Sequence, residues 1–103
     1  MDFFLDSADV KTIENMYATG LVDGVTTNPS LIAKSGQNFF TVLKQISKTV
    51  KGPISAEVTA TDSKNMIAEG KKLAKVSKNI VVKLPLTQEG LIACQHLTKL
   101  KIK

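Results

Sequence analysis

The chain has 103 residues, of which 43% are hydrophobic and 22% charged, with a formal net charge of +5. That length suits one domain, and the composition excludes a disordered, collagenous or charged-tail polypeptide. No apolar run approaches the roughly 18 residues of a membrane span, so no membrane partner is expected.

The N-terminus, Met1-Asp2-Phe3-Phe4-Leu5-Asp6, begins acidic and lacks the basic segment and long apolar stretch of a secretory signal. The single cysteine, Cys94, cannot close an internal disulfide, and a reducing cytoplasm is the expected compartment. Cys94 with His96 is too small a set for a metal site, and no metal or cofactor is expected. All 14 basic residues are lysines. The bidentate guanidinium fork that reads phosphate or guanine is therefore absent from this chain, and no nucleic-acid partner is expected.

In chain order, strand signals alternate with helix signals. Phe3–Asp6 reads as a short buried strand. Ser7 is placed to cap the next helix, with Asp9 in its first turn and Val10, Ile13 and Tyr17 on its apolar face. Gly20 stops that helix. Gly24–Asn28 reads as a second strand, ended by Pro29, and a short helical turn follows over Pro29–Ala33. Phe39, Leu43, Ile46 and Val50 then share one face of a longer helix.

Gly52-Pro53 breaks the chain before a third strand, Ile54–Ala60. Thr61 or Asp62 caps a helix over 63–77 with Met66, Ile67, Gly70, Leu73 and Ala74 inward. Ile80–Leu86 reads as a fourth strand, and Thr87 caps a last helix in which Leu91, Cys94, Leu97 and Leu100 repeat at threes. This alternation implies parallel βαβ units, about four of them, in one domain over 1–103. Four units make half of a (β/α)8 barrel, which usually takes about 250 residues. Lys101-Ile102-Lys103 falls where a fifth strand would begin, an odd place for a self-contained domain to end.

Parallel βα folds place ligands at the carboxyl ends of their strands. Each strand signal offers a polar group there: Asp6 in the first, Thr26 and Asn28 on one face of the second, Glu57 in the third and Lys83 in the fourth. Lys83 stands in an apolar frame of Val81, Val82, Leu84, Pro85 and Leu86. Burial favours the neutral amine, which can attack a carbonyl and form a Schiff base. A lysine snorkelling to solvent, or paired structurally with Glu57 or Asp6, fits the same spacing. Asp6 and Glu57 are acid–base candidates by type and place. Asp6 equally suits a helix start, Asn28 a turn, and Thr26 a strand former. Lys64, Lys71, Lys75 and Lys78 read as a solvated outer face.

The segments Phe4-Leu5-Asp6, Gly24-Val25-Thr26-Thr27-Asn28-Pro29-Ser30-Leu31-Ile32, Ser55-Ala56-Glu57-Val58 and Val81-Val82-Lys83-Leu84-Pro85 resemble the transaldolase family. The likeness is closest to its small bacterial and archaeal subfamily, which includes fructose-6-phosphate aldolase. It runs through the whole chain and matches the N-terminal half of that fold. The resemblance implies a (β/α)8 barrel and a metal-free transfer of a dihydroxyacetone unit between sugar phosphates of the pentose phosphate pathway. It implies Lys83 as Schiff-base nucleophile and Asp6 as the proton-transfer group in carbon–carbon cleavage. Glu57 would hold the catalytic water with Thr26 close by, and Asn28 would bind the dihydroxyacetone part. Transaldolases carry a carboxylate at the Glu57 position where fructose-6-phosphate aldolases have glutamine, so Glu57 favours transaldolase.

The family pattern extends beyond this chain. The threonine and aromatic groups around the water, and the arginine and serine that hold substrate phosphate, have no counterpart here. The expected behaviour of the isolated 103 residues is therefore little or no turnover, with self-association into a homo-oligomer. In that view Phe4, Val25, Val81 and Pro85 point inward and lack partners, and the first and fourth strands present free edges. A non-catalytic half-barrel that acts only by association is the alternative of another class.

Overall fold

The computed structural model of the chain describes residues 1–7 and 9–103. Four short strands, β1 (Phe4–Asp6), β2 (Gly24–Thr26), β3 (Ile54–Glu57) and β4 (Ile80–Lys83), form one sheet in sequence order. All three pairings are parallel. Between and after them run α1 (Val10–Tyr17), α2 (Pro29–Lys34), α3 (Phe39–Thr49), α4 (Ser63–Ala74) and α5 (Gln88–Lys99). The fold is α/β, with the strand order and connections of the N-terminal half of a (β/α)8 barrel.

The two faces of the sheet differ because side chains alternate along each strand. Val25, Ile54, Ala56 and Ile80 pack with Ile13, Val42, Leu43, Ile46, Met66, Leu73 and Ala93 in one buried cluster. Thr27, just past β2, points into this side, and its hydroxyl and backbone N–H both donate to the Ser55 carbonyl at 2.7 and 2.9 Å. That pairing satisfies a buried hydroxyl and ties β2 to β3. The opposite face carries Phe4, Asp6, Thr26, Ser55, Glu57, Val81 and Lys83, all exposed or half-buried, and among the described residues no helix covers it. Phe4 there lies over Gly24, where a Cβ would stand 2.6 Å from the Phe4 ring and 2.6 Å from the Pro53 carbonyl.

Of the caps read from the sequence, Asp62 and Thr87 hold and Ser7 does not, and Asn28 and Asn38 are caps the sequence reading did not name. Asn28, Asn38, Asp62 and Thr87 cap α2, α3, α4 and α5 through side-chain oxygens. The first helix is the exception: Asp9, not Ser7, is its cap and accepts from the Lys11 N–H. Ser7 instead accepts the Asp9 N–H at 3.2 Å, one step earlier in the same turn. Gly20 ends the following turn at φ 77°, a left-handed conformation that glycine takes without a Cβ clash.

The strands are shorter than their apolar runs suggest. β2 stops at Thr26 rather than Asn28, β3 at Glu57 rather than Ala60, and β4 at Lys83 rather than Leu86. Helix caps and prolines claim the residues beyond, and α4 likewise ends at Ala74 rather than 77. Three further expectations are corrected. Val25 faces the helices, fully buried, not the open face. On α5 the inward residues are Gly90, Ala93 and Leu97, whereas Leu91, Cys94 and Leu100 are exposed. A spacing of three drifts around a helix of 3.6 residues per turn, so it cannot hold one face. Lys78 lies beyond the end of α4, although it and Lys64, Lys71 and Lys75 are exposed as expected.

Past α5, Lys101 turns the chain at φ 61°, and the Lys103 carbonyl accepts the Val82 N–H at 2.8 Å. The last residue thus lies along β4 as a fifth parallel strand would, although 101–103 are not themselves a strand.

Candidate active site

Each strand ends on one of the polar residues singled out in the sequence: β1 on Asp6, β2 on Thr26, β3 on Glu57 and β4 on Lys83. The register explains how they share a face. Asp6 pairs with Thr26, Thr26 with Ser55, and Ser55 with Val81, forming one row across the sheet. Glu57 pairs with Lys83 one row nearer the carboxyl ends. Asn28 lies two residues past Thr26 and returns to the same side.

Glu57 and Lys83 are brought into direct contact. The Lys83 Nζ stands 3.9 Å from a Glu57 carboxylate oxygen, and the two side chains are 50% and 33% exposed. Of the two readings of Lys83, the buried amine is not what the structure shows; the solvent-reaching lysine paired with Glu57 is, because the uncovered face leaves it open to water. Neighbouring strands lie about 4.8 Å apart, so Asp6, three strands away from Lys83, is roughly 14 Å distant along the sheet. Only the curvature of a closed barrel turns such residues toward one another across a lumen.

The two ends of the Asn28 amide differ. Its Oδ1 accepts the Ser30 and Leu31 N–H groups at 2.9 and 3.4 Å, capping α2. The Nδ2 group is thereby fixed in orientation and remains a donor. The turn reading and the ligand reading of Asn28 are thus compatible.

The loop from β3 to α4 is tied down on both sides. The Val58 N–H donates to the Lys83 carbonyl at 3.1 Å, extending the β3–β4 register one residue past Glu57. The Glu69 carboxylate then accepts from Thr59 and Ala60, and the Glu89 carboxylate accepts the Ser63 N–H at 3.0 Å. Asp62, at the N-terminus of α4, receives hydrogen bonds from the Asn65 backbone and side chain, which hold its carboxyl below the usual aspartate value of 3.8. A cavity of about 290 Å³ opens beside this loop, lined by Glu57, Thr61, Pro85 and Thr87 among others. A larger cleft of about 450 Å³ lies on the outer helix layer between Phe40 and Val76, away from the polar face.

Two residues of this region were not singled out by sequence. Ser55 stands on the open face between Thr26 and Val81, a position that period-two counting back from Glu57 reaches. Glu69 carries no local motif, and its contact with the loop emerges only once α4 folds back on β3. Among the described residues no group of three or more His, Cys, Asp or Glu side chains is arranged to hold a metal ion.

The chain is an α/β protein whose polar side chains gather at the carboxyl ends of parallel strands, the end at which such folds place ligands. Comparison with known proteins gives the family. Residues 3–103 match the transaldolase/fructose-6-phosphate aldolase family, and the chain belongs to it. Probable transaldolases of Parvibaculum lavamentivorans and Maricaulis maris are 60% and 62% identical over 98 residues, which is 95% of this chain and 45% of each relative. That of Geobacter sulfurreducens is 59% identical over all 103 residues, 48% of its own length. The chain therefore spans about half the length of the curated relatives it matches.

Proposed function

We propose that this chain supplies the amine and acid–base groups of a transaldolase site, with Lys83 as the Schiff-base nucleophile. The observation that carries the reading is the Glu57–Lys83 pair at 3.9 Å, set on the face that also bears Asp6, Thr26 and Asn28. The Lys83 amine adds to the carbonyl carbon of a ketose phosphate and water leaves, giving a protonated imine. Cleavage of the carbon–carbon bond one position further along sends its electron pair into the imine, and Asp6 takes the hydroxyl proton of the departing aldose phosphate. The enamine that remains adds to an acceptor aldehyde, and water held by Glu57 and Thr26 hydrolyses the imine and frees Lys83. The Asn28 Nδ2 donates to an oxygen of the dihydroxyacetone unit throughout.

Glu57, a carboxylate rather than an amide, favours transfer to an acceptor over release of free dihydroxyacetone, in keeping with the names of the relatives. The phosphate-holding groups are assigned to the part of the relatives that this chain does not span. The 103-residue chain alone accordingly turns over little sugar phosphate and associates through its uncovered face and strand edges. The work of such an enzyme places it in the cytoplasm.

A coupled assay with fructose 6-phosphate, run on this chain beside one of full relative length, tests the reading. The long chain should form a new ketose phosphate only when an aldose phosphate acceptor is present. Dihydroxyacetone released without acceptor would select the aldolase instead. Sedimentation of the short chain across a concentration series should show association, and a stable monomer with full turnover would contradict this account.

A further inference from the structure

The loop that follows Glu57 is held by a carboxylate that the proposed reaction does not use. Glu69 lies on α4 between Met66 and Leu73, which are buried in the core, so the helix face it occupies is fixed against the sheet. Its Oε2 accepts the Thr59 N–H at 2.7 Å, and its Oε1 accepts the Ala60 N–H at 3.1 Å. The Thr59 hydroxyl lies 3.1 Å from Oε2, a further donor to the same group. Two successive backbone N–H groups and a hydroxyl all donate to one side chain, and a carboxylate suits them because it only accepts.

Two features set this contact apart from an ordinary helix-to-loop tie. The clamped residues begin two positions after Glu57, and the one residue between, Val58, is bonded to the Lys83 carbonyl. Glu57 is thus held between a registered strand and a fixed loop. In addition, Lys71 and Lys72 flank Glu69 on α4, yet among the described residues the ion pair within 4.0 Å is Lys83–Glu57 and Glu69 makes none. The carboxylate is committed to the loop rather than to the charges around it.

We infer that Glu69 is a positioning residue: by clamping Thr59 and Ala60 it holds the Glu57 carboxylate against the Lys83 amine. The inference rests on the reading of Glu57 and Lys83 as the reactive pair. Its consequence is specific, since loosening the clamp should change the chemistry of Lys83 only while Glu57 is there to move.

The test is pulsed reductive methylation of the chain, diluted into the monomer range that sedimentation defines, with limiting formaldehyde and borohydride, each lysine being quantified by peptide mass spectrometry. Formaldehyde labels any amine, so the measurement does not depend on turnover of a sugar phosphate. Lys11 on α1 and Lys44 on α3, both exposed and away from Glu69, serve as internal references. Glu57→Gln removes the counter-charge of Lys83 and should speed its labelling about two- to five-fold relative to the references, the range of an exposed ion pair. Glu69→Gln, which puts an NH2 donor against an N–H donor, should speed Lys83 in the same direction, and Thr59→Ala should do so by less. In the Glu57→Gln background, Glu69→Gln should add nothing. An unchanged Lys83 in Glu69→Gln would overturn the inference. So would an equal change in both backgrounds, or a uniform change of all lysines, because each describes a residue that serves the fold alone. Failure of the transaldolase reading would appear instead as no acceptor-dependent turnover with this coupling intact.

Discussion

The helix-covered face of the sheet and its open face are built from alternate residues of the same four strands, yet they obey different rules. On the covered face, Val25, Ile54 and Ala56 are fully buried among aliphatic side chains, and Thr27, the one buried polar residue among the described residues, is bonded to backbone. On the open face, Asp6, Thr26, Ser55, Glu57 and Lys83 stand in registered rows, with Phe4 49% exposed. The first face is dictated by burial and would hold the fold whatever the reaction. The second is exposed or half-buried, so burial does not dictate its residues, and it carries the polar groups on which the proposed chemistry rests. A single-residue slip in register would exchange the two sets, so apolar packing on one side also fixes the site on the other.

Substitutions on the two faces should separate along that line. Lys83→Met removes the nucleophile, and in a chain of full relative length it should lower turnover by about 10³-fold or more with thermal melting almost unchanged. Normal turnover in that variant would move the chemistry elsewhere. Ile54→Ala on the covered face should do the reverse, costing about 3 kcal/mol of stability in denaturant unfolding. Val81→Ala on the open face should cost about 1 kcal/mol or less. Equal costs would show that the open face is packed in solution, as it would be in an associated chain.

Asn28→Asp tests the division of labour within one side chain. Aspartate caps a helix as well as asparagine does, so α2 and the melting temperature should be preserved. The Nδ2 donor is lost, and substrate capture should weaken by about 10- to 100-fold in the long chain. A drop in stability without a change in capture would leave Asn28 as a cap alone.

The smallest expected effect is the pH response of α4. The hydrogen bonds from Asn65 hold the Asp62 carboxyl below its usual 3.8 in the folded state. A depressed carboxyl favours the folded state above its unfolded value, and that contribution is lost as pH falls through the folded one. Asp62→Asn should therefore flatten the dependence of melting temperature on pH below about 4, with little change at pH 7. An identical acid limb in the variant would remove Asp62 from that response.

Much of this was legible in the sequence because the rules involved are local. Alternating patterns point to four βα units, and the caps read at Asp62 and Thr87 mark the starts of α4 and α5. The polar residue at each strand end stood out against its apolar neighbours. The features not legible depend on tertiary contacts. Nothing within Gly24–Asn28 says which side of β2 meets the helices, so Val25 was expected on the wrong face. The apolar neighbours of Lys83 leave a buried and a solvent-reaching lysine both open, because exposure depends on what covers the face. The clamp from Glu69 to Thr59 spans ten positions and requires α4 to be already packed. The sequence overstates the strands because tertiary contacts take the backbone beyond them: Asn28 caps α2 after β2, and Glu69 accepts from Thr59 and Ala60 after β3.

The central claim is that the open face is a reaction surface organised around Lys83. The most direct measurement is borohydride trapping in the presence of fructose 6-phosphate, on a chain of full relative length, followed by peptide mapping of all lysines. The account predicts one substrate-derived adduct, on Lys83, lost in Lys83→Met and retained in Asp62→Asn. An adduct on any other lysine, or none under conditions of active turnover, would contradict it.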